Sequence, residues 1–234
     1  MGARRWLAGV VVSLLVAAAW TGAAVAQPEP EMARSVDNQP TAQFGGVDLL
    51  RPENALLTRY DDRVEIEIRL DTPVPGSYTY PDEIPQERYA APELFTMWAF
   101  VFNRPESCVG EAEPPRCGPD DFSEAVRAGV YNVAAHVTSI DHSGGAFELD
   151  RGTDGQVILR GEIVVAAPPR PNSPPGADVL RFPLEDPAGA EIHVAIAPHG
   201  QMNPAALAIE AYEPAGNPAC GCWWVASFVA APDT

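Results

Sequence analysis

The chain has 234 residues and a formal net charge of −17, with 15 basic residues against 32 acidic ones. Hydrophobic residues make up 46% of it, which excludes a wholly disordered protein. Every basic residue is arginine, so P-loop, Schiff-base and Ser-Lys chemistries that need a lysine are excluded. The acidic balance also argues against nucleic acid as a partner, because no basic footprint is present to neutralise phosphates.

Residues 1–26 have the pattern of a secretory signal peptide. Arg4 and Arg5 precede an uncharged stretch from Leu7 to Trp20, and Ala24-Val25-Ala26 supplies a small-x-small cleavage site. A membrane anchor is the alternative, but the apolar stretch is shorter than the roughly 20 residues that a span needs. We therefore predict cleavage after Ala26 and a secreted or periplasmic product with no membrane span after cleavage.

The mature chain divides into a tail and one domain. Residues 27–44 are polar and contain three prolines, which predicts a disordered N-terminal segment. Residues 45–234 fit a single all-β domain. Two stretches rich in proline, 71–93 and 166–176, are long for loops of a compact domain.

Alternating and continuous apolar runs predict strands along the whole domain. In 63–70, apolar residues alternate with charged ones, which is typical of a strand with one buried face. The run 94–102 is apolar at both parities and predicts a central strand covered on both faces. Further alternation predicts an inward row at Tyr131, Val133, Ala135 and Val137, a hairpin over 147–165, and strands at 180–182, 191–196 and 223–229.

This spacing predicts a single antiparallel β-sandwich, Ig-like or jelly-roll-like, with long Pro-rich loops and at most one or two short helices. Asp120 to Ala128 is the better helical candidate, with an aspartate at its start and Gly129 as its stop. Residues 203–211 are the weaker one.

Four cysteines in a chain with an export signal predict two disulfides. Three connectivities are possible for Cys108, Cys117, Cys220 and Cys222. The local pair of Cys108 with Cys117 is slightly favoured, and bridges from Cys220 and Cys222 to that loop are the alternative. A four-thiolate metal site is disfavoured, because C-x-C and C-x8-C depart from the usual zinc-ligand spacings.

Histidines offer an alternative function. His136 and His193 fall on the outward parity of predicted strands, and pairing of these strands would bring them together. With His199, and with Glu191 or a loop carboxylate as a further ligand, they form the candidate copper or zinc site. His142 takes no part in it. Two solvated surface imidazoles are the simpler interpretation.

Aromatic residues in the 71–93 loop form a second candidate site. Tyr78, Tyr80 and Tyr89 lie among prolines, where their rings offer a platform for a sugar or a peptide. Packing of the rings over the edge of the sandwich is the preferred interpretation.

The run from Phe95 to Cys108 resembles a pattern in an uncharacterised group of exported bacterial proteins, an aromatic strand that ends in F-N-x-P before a cysteine. Cys117-Gly118-Pro119-Asp120 is similar to the second half of that pattern, and 190–193 and 198–200 to a later strand and turn. The resemblance covers about 56–228, and the 71–93 loop of this chain is longer than the corresponding part of the pattern. It implies a secreted β domain and transfers no catalytic residue.

No nucleophile motif such as G-x-S-x-G or S-x-x-K occurs in the sequence. We therefore expect a non-enzymatic binding or cell-envelope-associated β domain that needs no cofactor and engages an extracellular ligand or envelope component through its loops. A metal-binding protein and a hydrolase with unidentified carboxylates are the two alternatives.

Overall fold

Two antiparallel β-sheets pack face to face in the computed structural model, which describes residues 28–37, 51–71, 93–137, 156–169, 181–201 and 224–229. The predicted all-β sandwich is therefore confirmed. The predicted signal peptide, the aromatic loop 71–93, the tip of the 147–165 hairpin and the candidate helix at 203–211 lie largely or wholly outside the described residues. Among the described residues, no helix is long and apolar enough to cross a bilayer.

The described residues form nine strands and three short 3-10 turns. The strands are β1 (Glu31–Met32), β2 (Ser35–Asp37), β3 (Ala55–Arg59), β4 (Arg63–Asp71), β5 (Glu93–Phe102), β6 (Ala128–Val137), β7 (Gln156–Val164), β8 (Glu191–Gln201) and β9 (Trp224–Phe228). The four-stranded sheet has the order β1-β3-β4-β7, and the five-stranded sheet has the order β2-β9-β8-β5-β6. The 3-10 turns span Pro52–Asn54, Pro105–Ser107 and Pro119–Asp121.

Strand β4 follows its predicted alternation, and the apolar set Val64, Ile66, Ile68 and Leu70 is buried between the sheets. Strand β5 is buried on both faces, as predicted. Phe95, Met97, Ala99 and Val101 belong to the core between the sheets. Trp98 and Phe102 belong to a second, smaller cluster on the outer side of the five-stranded sheet, beneath the segment 103–127.

The predicted inward row on β6 is wrong in part, because a β-bulge interrupts the strand. Met97 pairs with Ala134 but Trp98 pairs with Asn132, so Val133 is the extra residue. A bulge reverses the facing of the residues beyond it. Ala134, opposite the core residue Met97, accordingly joins the core between the sheets. Asn132, before the bulge, keeps the outward facing predicted for it, opposite Trp98, but it is 4% exposed because this outer side of the sheet is covered.

The bulge lies against a glycine of the facing sheet. An added Cβ at Gly161 on β7 would be 2.4 Å from Cγ1 of Val133 and 2.6 Å from its carbonyl oxygen. Gly161 therefore lets β6 and β7 approach closely, and this contact closes one side of the sandwich.

Residues 31–37 close the other side, which corrects the prediction of disorder for this part of 27–44. Strand β1 pairs with β3 and strand β2 pairs with β9, so one segment covers an edge of each sheet. Composition hides these strands, because edge pairing through the backbone needs few apolar side chains. Ala33, between the two strands, is 6% exposed.

The segment 103–127 contains less helix than the sequence suggested for 120–128. It forms the turn Pro119–Asp121 and a further hydrogen-bonded turn that ends at Arg127 with a positive φ of 54°. Asn103 joins the two ends of the segment, since the side-chain amide of Asn103 donates to the carbonyl of Arg127 at 2.7 Å. The same amide also donates to the carbonyl of Pro183 at 2.8 Å. Of the predicted strand at 180–182, residues 181 and 182 lie in the described part, and they contain a single bridge between Arg181 and Gly129.

Tyr131 links the five-stranded sheet to two crossing segments. Its hydroxyl donates to the carbonyl of Ala167 at 3.1 Å and accepts the N–H of Leu184 at 2.8 Å. Burial raises the pKa of Tyr131 to about 12. The phenol therefore stays protonated and keeps both hydrogen bonds through the neutral and mildly alkaline range.

We expect Gly161→Ala to lower the free energy of unfolding by about 1–3 kcal/mol, because the new methyl group overlaps Val133. Urea denaturation followed by circular dichroism measures the change. Gly118→Ala is the matched control, since an added Cβ there meets no atom within 4 Å. Equal stability of the two variants would contradict the close approach of β6 and β7.

Candidate functional site

The outer face of the four-stranded sheet carries an open groove of about 430 Å³. Because side chains alternate along a strand, burial of Val64 to Leu70 on one face of β4 places its charged residues on the other. The groove is lined by Pro30, Leu56, Thr58, Glu65, Ile66, Glu67, Arg160, Gly161 and Glu162.

Strand register arranges these side chains in two rows across the sheet. Thr58 lies opposite Glu65, which lies opposite Glu162. Leu56 lies opposite Glu67, which lies opposite Arg160. The first row offers oxygen acceptors, and the second combines an apolar contact with an ion pair.

Glu67 is bound between two arginines in the second row. Its carboxylate accepts from Arg69 at 2.5 Å and from Arg160 at 2.7 Å. Partial burial raises the pKa of Glu67, but the hydrogen bonds and charges of Arg160 and Arg69 outweigh it and leave the pKa below its usual range. Glu67 is therefore a fixed negative charge on the floor of the groove.

Glu65 and Glu162 face one another directly across β4 and β7, a placement of like charges that destabilises a sheet. Arg63 relieves it in part, because its guanidinium lies 2.9 Å from Glu65 and 3.9 Å from Glu162. The hydrogen bond with Glu65 raises the pKa of Arg63. Arg63 also stacks 3.9 Å from the centroid of the Tyr60 ring, which fixes its position.

A second polar cluster lies on the outer side of the five-stranded sheet. Cys108 and Cys117 form a disulfide with an S–S distance of 2.05 Å, the local pairing that the sequence favoured. Asp121, 2% exposed, accepts the N–H groups of Val109 at 2.7 Å and Gly118 at 2.8 Å. The disulfide and this carboxylate hold the loop between the two cysteines.

Glu191 fixes the same loop from β8. Its carboxylate, 1% exposed, accepts the N–H groups of Arg116 at 3.0 Å and Cys117 at 2.8 Å. It also lies 2.8 Å from Nε2 of His193. Burial raises the pKa of Glu191, but the hydrogen bonds from His193 and the two backbone N–H groups outweigh it, so the pKa lies below its usual range.

Two histidines of the candidate metal site, His136 and His193, are not neighbours in the sheet. Strands β6 and β8 do not pair, because β5 lies between them. His136 pairs with Phe95 and His193 with Phe100, so five residues of β5, roughly 17 Å, separate their positions along the sheet. His199 lies six residues beyond His193 on β8. The side chains of His136 and His199 lie outside the described part of the chain.

Within the described ranges, no group of three or more histidine, cysteine, aspartate or glutamate side chains is arranged to hold a metal ion. Glu191, considered above as a further metal ligand, binds backbone N–H groups instead. Cys220, Cys222, His142, Tyr78, Tyr80 and Tyr89 lie outside the described residues.

Ser227 on β9 lies opposite His193, which brings a carboxylate, an imidazole and a hydroxyl onto one face of the sheet. The imidazole is directed away from the serine. It contacts the Phe102 ring on β5 with a centroid separation of 5.1 Å, and β5 is on the other side of β8 from β9. The Glu191–His193 pair therefore positions the disulfide loop and does not activate Ser227.

The groove residues were missed by sequence reasoning. The alternating charges of β4 were recognised only as a solvent-facing row. The pairing of β4 with β7 joins segments about 90 residues apart and sets the Glu65–Glu162 pair. The predicted hairpin over 147–165 pairs β7 with the residues before it, and it does not predict that β7 also pairs with β4.

We expect Glu191→Gln to lower the free energy of unfolding by about 2 kcal/mol at pH 7, because the amide cannot replace a carboxylate that binds both the imidazole and the backbone. The folded-state pKa of Glu191 is lowered, so its contribution is present above the unfolded pKa and is lost as the pH falls through the folded value. The difference from wild type should therefore shrink below about pH 4. Urea denaturation from pH 7 to pH 3 measures it.

Glu111→Gln is the matched control, since this exposed glutamate lies in the same loop. A Glu191→Gln variant that is as stable as Glu111→Gln at pH 7 would show that the carboxylate does not hold the loop.

Comparison with known proteins finds no relative for this chain: no family model, no curated protein and no solved structure matches it. The resemblance to an exported bacterial group stays a hypothesis. The function is therefore inferred from the geometry of the groove and of the disulfide loop.

Proposed function

We propose that this protein is an exported, non-enzymatic binding domain that engages its ligand in the groove of the four-stranded sheet. The observation that carries the proposal is the groove itself, an open volume of about 430 Å³ with acidic, basic and apolar walls. Ligand sites combine apolar contact with a few placed polar groups. Here Leu56 and Pro30 supply the contact, and Glu65, Glu162 and Arg160 supply the polar groups.

Export is supported by two independent observations. The first 26 residues have the charge, length and cleavage pattern of a signal peptide. The Cys108–Cys117 disulfide closes a loop that is otherwise short of regular structure. Disulfides persist in oxidising compartments, so both observations favour a location outside the cytoplasm.

The exposure of the facing carboxylates favours binding over hydrolysis. A general acid in a hydrolase needs surroundings that raise the pKa of its carboxyl group, usually by burial. The side chains of Glu65 and Glu162 are 44% and 60% exposed and lie beside the Arg63 guanidinium. Neither carboxyl group is buried, so both are accessible to a ligand as acceptors.

The chemistry of the lining defines the ligand class. Three glutamates and one arginine present more acceptors than donors, so the best partner is a polar ligand with several hydroxyl or ammonium donors. The facing pair Glu65 and Glu162 is the natural centre of recognition, because a donor placed between them also relieves their mutual repulsion.

We expect the mature protein to bind ligands of this class on combined glycan and peptide arrays. Glu65→Gln and Glu162→Gln should each weaken the binding about tenfold, because each removes one charge-assisted hydrogen bond. Titration of the array hit by calorimetry measures the change.

Glu124→Gln is the control, since its side chain is 79% exposed in the segment over the other sheet. Binding that is unaffected by both groove variants would place the ligand elsewhere. Turnover of an array ligand that is lost in Glu65→Gln or Glu162→Gln would favour a hydrolase instead.

A further inference from the structure

One short segment near the N-terminus completes both sheets. Glu31 and Met32 pair with Leu57 and Leu56 on β3, and 35–37 pairs with 225–227 on β9. Between the strands, the N–H of Ala33 donates to the carbonyl of Ala55 at 3.0 Å. The N–H of Arg34 donates to the carbonyl of Ser227 at 2.7 Å. The edges of β3 and β9 thus form one acceptor seam for a single strand that changes sheets.

The acceptor seam is specific for this segment. Arg59 at the end of β3 presents its Nε to the Glu31 carboxylate at 2.7 Å. Its other nitrogens donate to the carbonyls of Ala190 at 3.0 Å and Val229 at 2.8 Å, so the guanidinium is held by residues outside the segment. At the crossing point the seam encloses the small side chain of Ala33. The seam therefore requires a carboxylate, one further residue, and then a small residue.

Over residues 28–34, where burial is described, Ala33 is the one buried residue of the segment. Its strands are two and three residues long, and Met32 is 60% exposed. Segments with few buried apolar contacts open at low free-energy cost. An opened segment exposes the edges of β3 and β9, and such edges readily pair with another strand.

We propose that the acceptor seam takes residues 28–37 from a second copy of this chain, in a reciprocal exchange that forms a dimer. The exchange recreates every contact of the closed monomer, since the segment and the seam are identical in both copies. Residues 38–50 are long enough to extend on the order of 45 Å between the two. Pro30 of each copy then lines the groove of the other copy.

The balance between the two forms depends on concentration. A short connection holds the segment near its own seam at an effective concentration of roughly millimolar. The closed monomer therefore dominates at micromolar protein, and exchange becomes significant as the protein approaches millimolar or when it is attached to a surface at high density.

Two variants of the mature protein, each with one added cysteine, test the exchange. Met32→Cys and Leu56→Cys lie opposite one another in the register of β1 and β3. We mix them at about 1 mM, which matches the effective concentration of the closed form, and then oxidise them. Peptide mass spectrometry should identify a bond between positions 32 and 56 in covalent heterodimers.

A mixture of Thr58→Cys with Glu65→Cys is the matched control, because these positions face one another across β3 and β4, inside the part that does not exchange. If the segments exchange, the amount of covalent heterodimer in the first mixture should exceed the amount in the control mixture severalfold. Equal amounts in both mixtures would indicate random collision and overturn the proposal.

Native mass spectrometry of unlabelled and 15N-labelled wild-type protein gives a readout that needs no substitution. Mixed dimers should appear after incubation at about 1 mM and be absent at micromolar concentration. Monomers alone at both concentrations would overturn the proposal. Neither measurement involves a ligand, so this inference and the proposed binding function can fail separately.

Discussion

Arg59 connects the parts of the sandwich that are farthest apart in the chain. Its guanidinium lies at the end of β3 and binds the Glu31 carboxylate and the carbonyls of Pro187, Ala190 and Val229. These partners belong to β1, to the turn before β8 and to the residue after β9. Hydrogen bonds to a charged group stabilise more than neutral ones, so one side chain joins both sheets at a common end. The acceptor seam and one wall of the groove depend on this arrangement.

On the outer side of the five-stranded sheet, two buried carboxylates likewise join segments that are distant in the chain. The loop between Cys108 and Cys117 has no helix or strand to satisfy its N–H groups, and buried N–H groups are costly when they lack partners. Glu191 accepts the N–H groups of Arg116 and Cys117, and Asp121 accepts that of Val109 and that of Gly118 directly after the loop. The disulfide joins the two ends of this loop through side chains, and the carboxylates fix the backbone beside each cysteine.

The sequence predicts the parts of this fold that depend on local pattern. The alternation over 63–70 identifies β4, and the continuous apolar run identifies β5 as a strand buried on both faces. The bulge at Val133 is not predictable in this way, because one unpaired residue leaves the local composition unchanged while it reverses the facing of its neighbours. Residues 31–37 are missed for a related reason, since their pairing is carried by the backbone.

The candidate site depends on long-range register and is harder to predict. Glu65 and Glu162 become neighbours only when β4 pairs with β7 in one particular alignment. His136 and His193 show the converse, since they would be neighbours only if their two strands paired, and β5 lies between these strands. Glu191 was recognised as a polar group of interest, but its role as an acceptor for the disulfide loop follows from a contact 74 residues away.

The charge ladder on the four-stranded sheet has a consequence for the environments that the protein tolerates. All its cations are arginines, and the guanidinium remains protonated at every pH at which proteins stay folded. The phenol of Tyr131 is likewise protected, with a pKa of about 12. At high pH there is therefore no lysine that could lose its charge. Acid, in contrast, neutralises Glu67, which binds Arg69 and Arg160, and Glu191, which binds the disulfide loop. Because the pKa of each of these carboxylates is lowered, they are neutralised only below the ordinary range of a glutamate, and the stability that they contribute is lost only in strong acid.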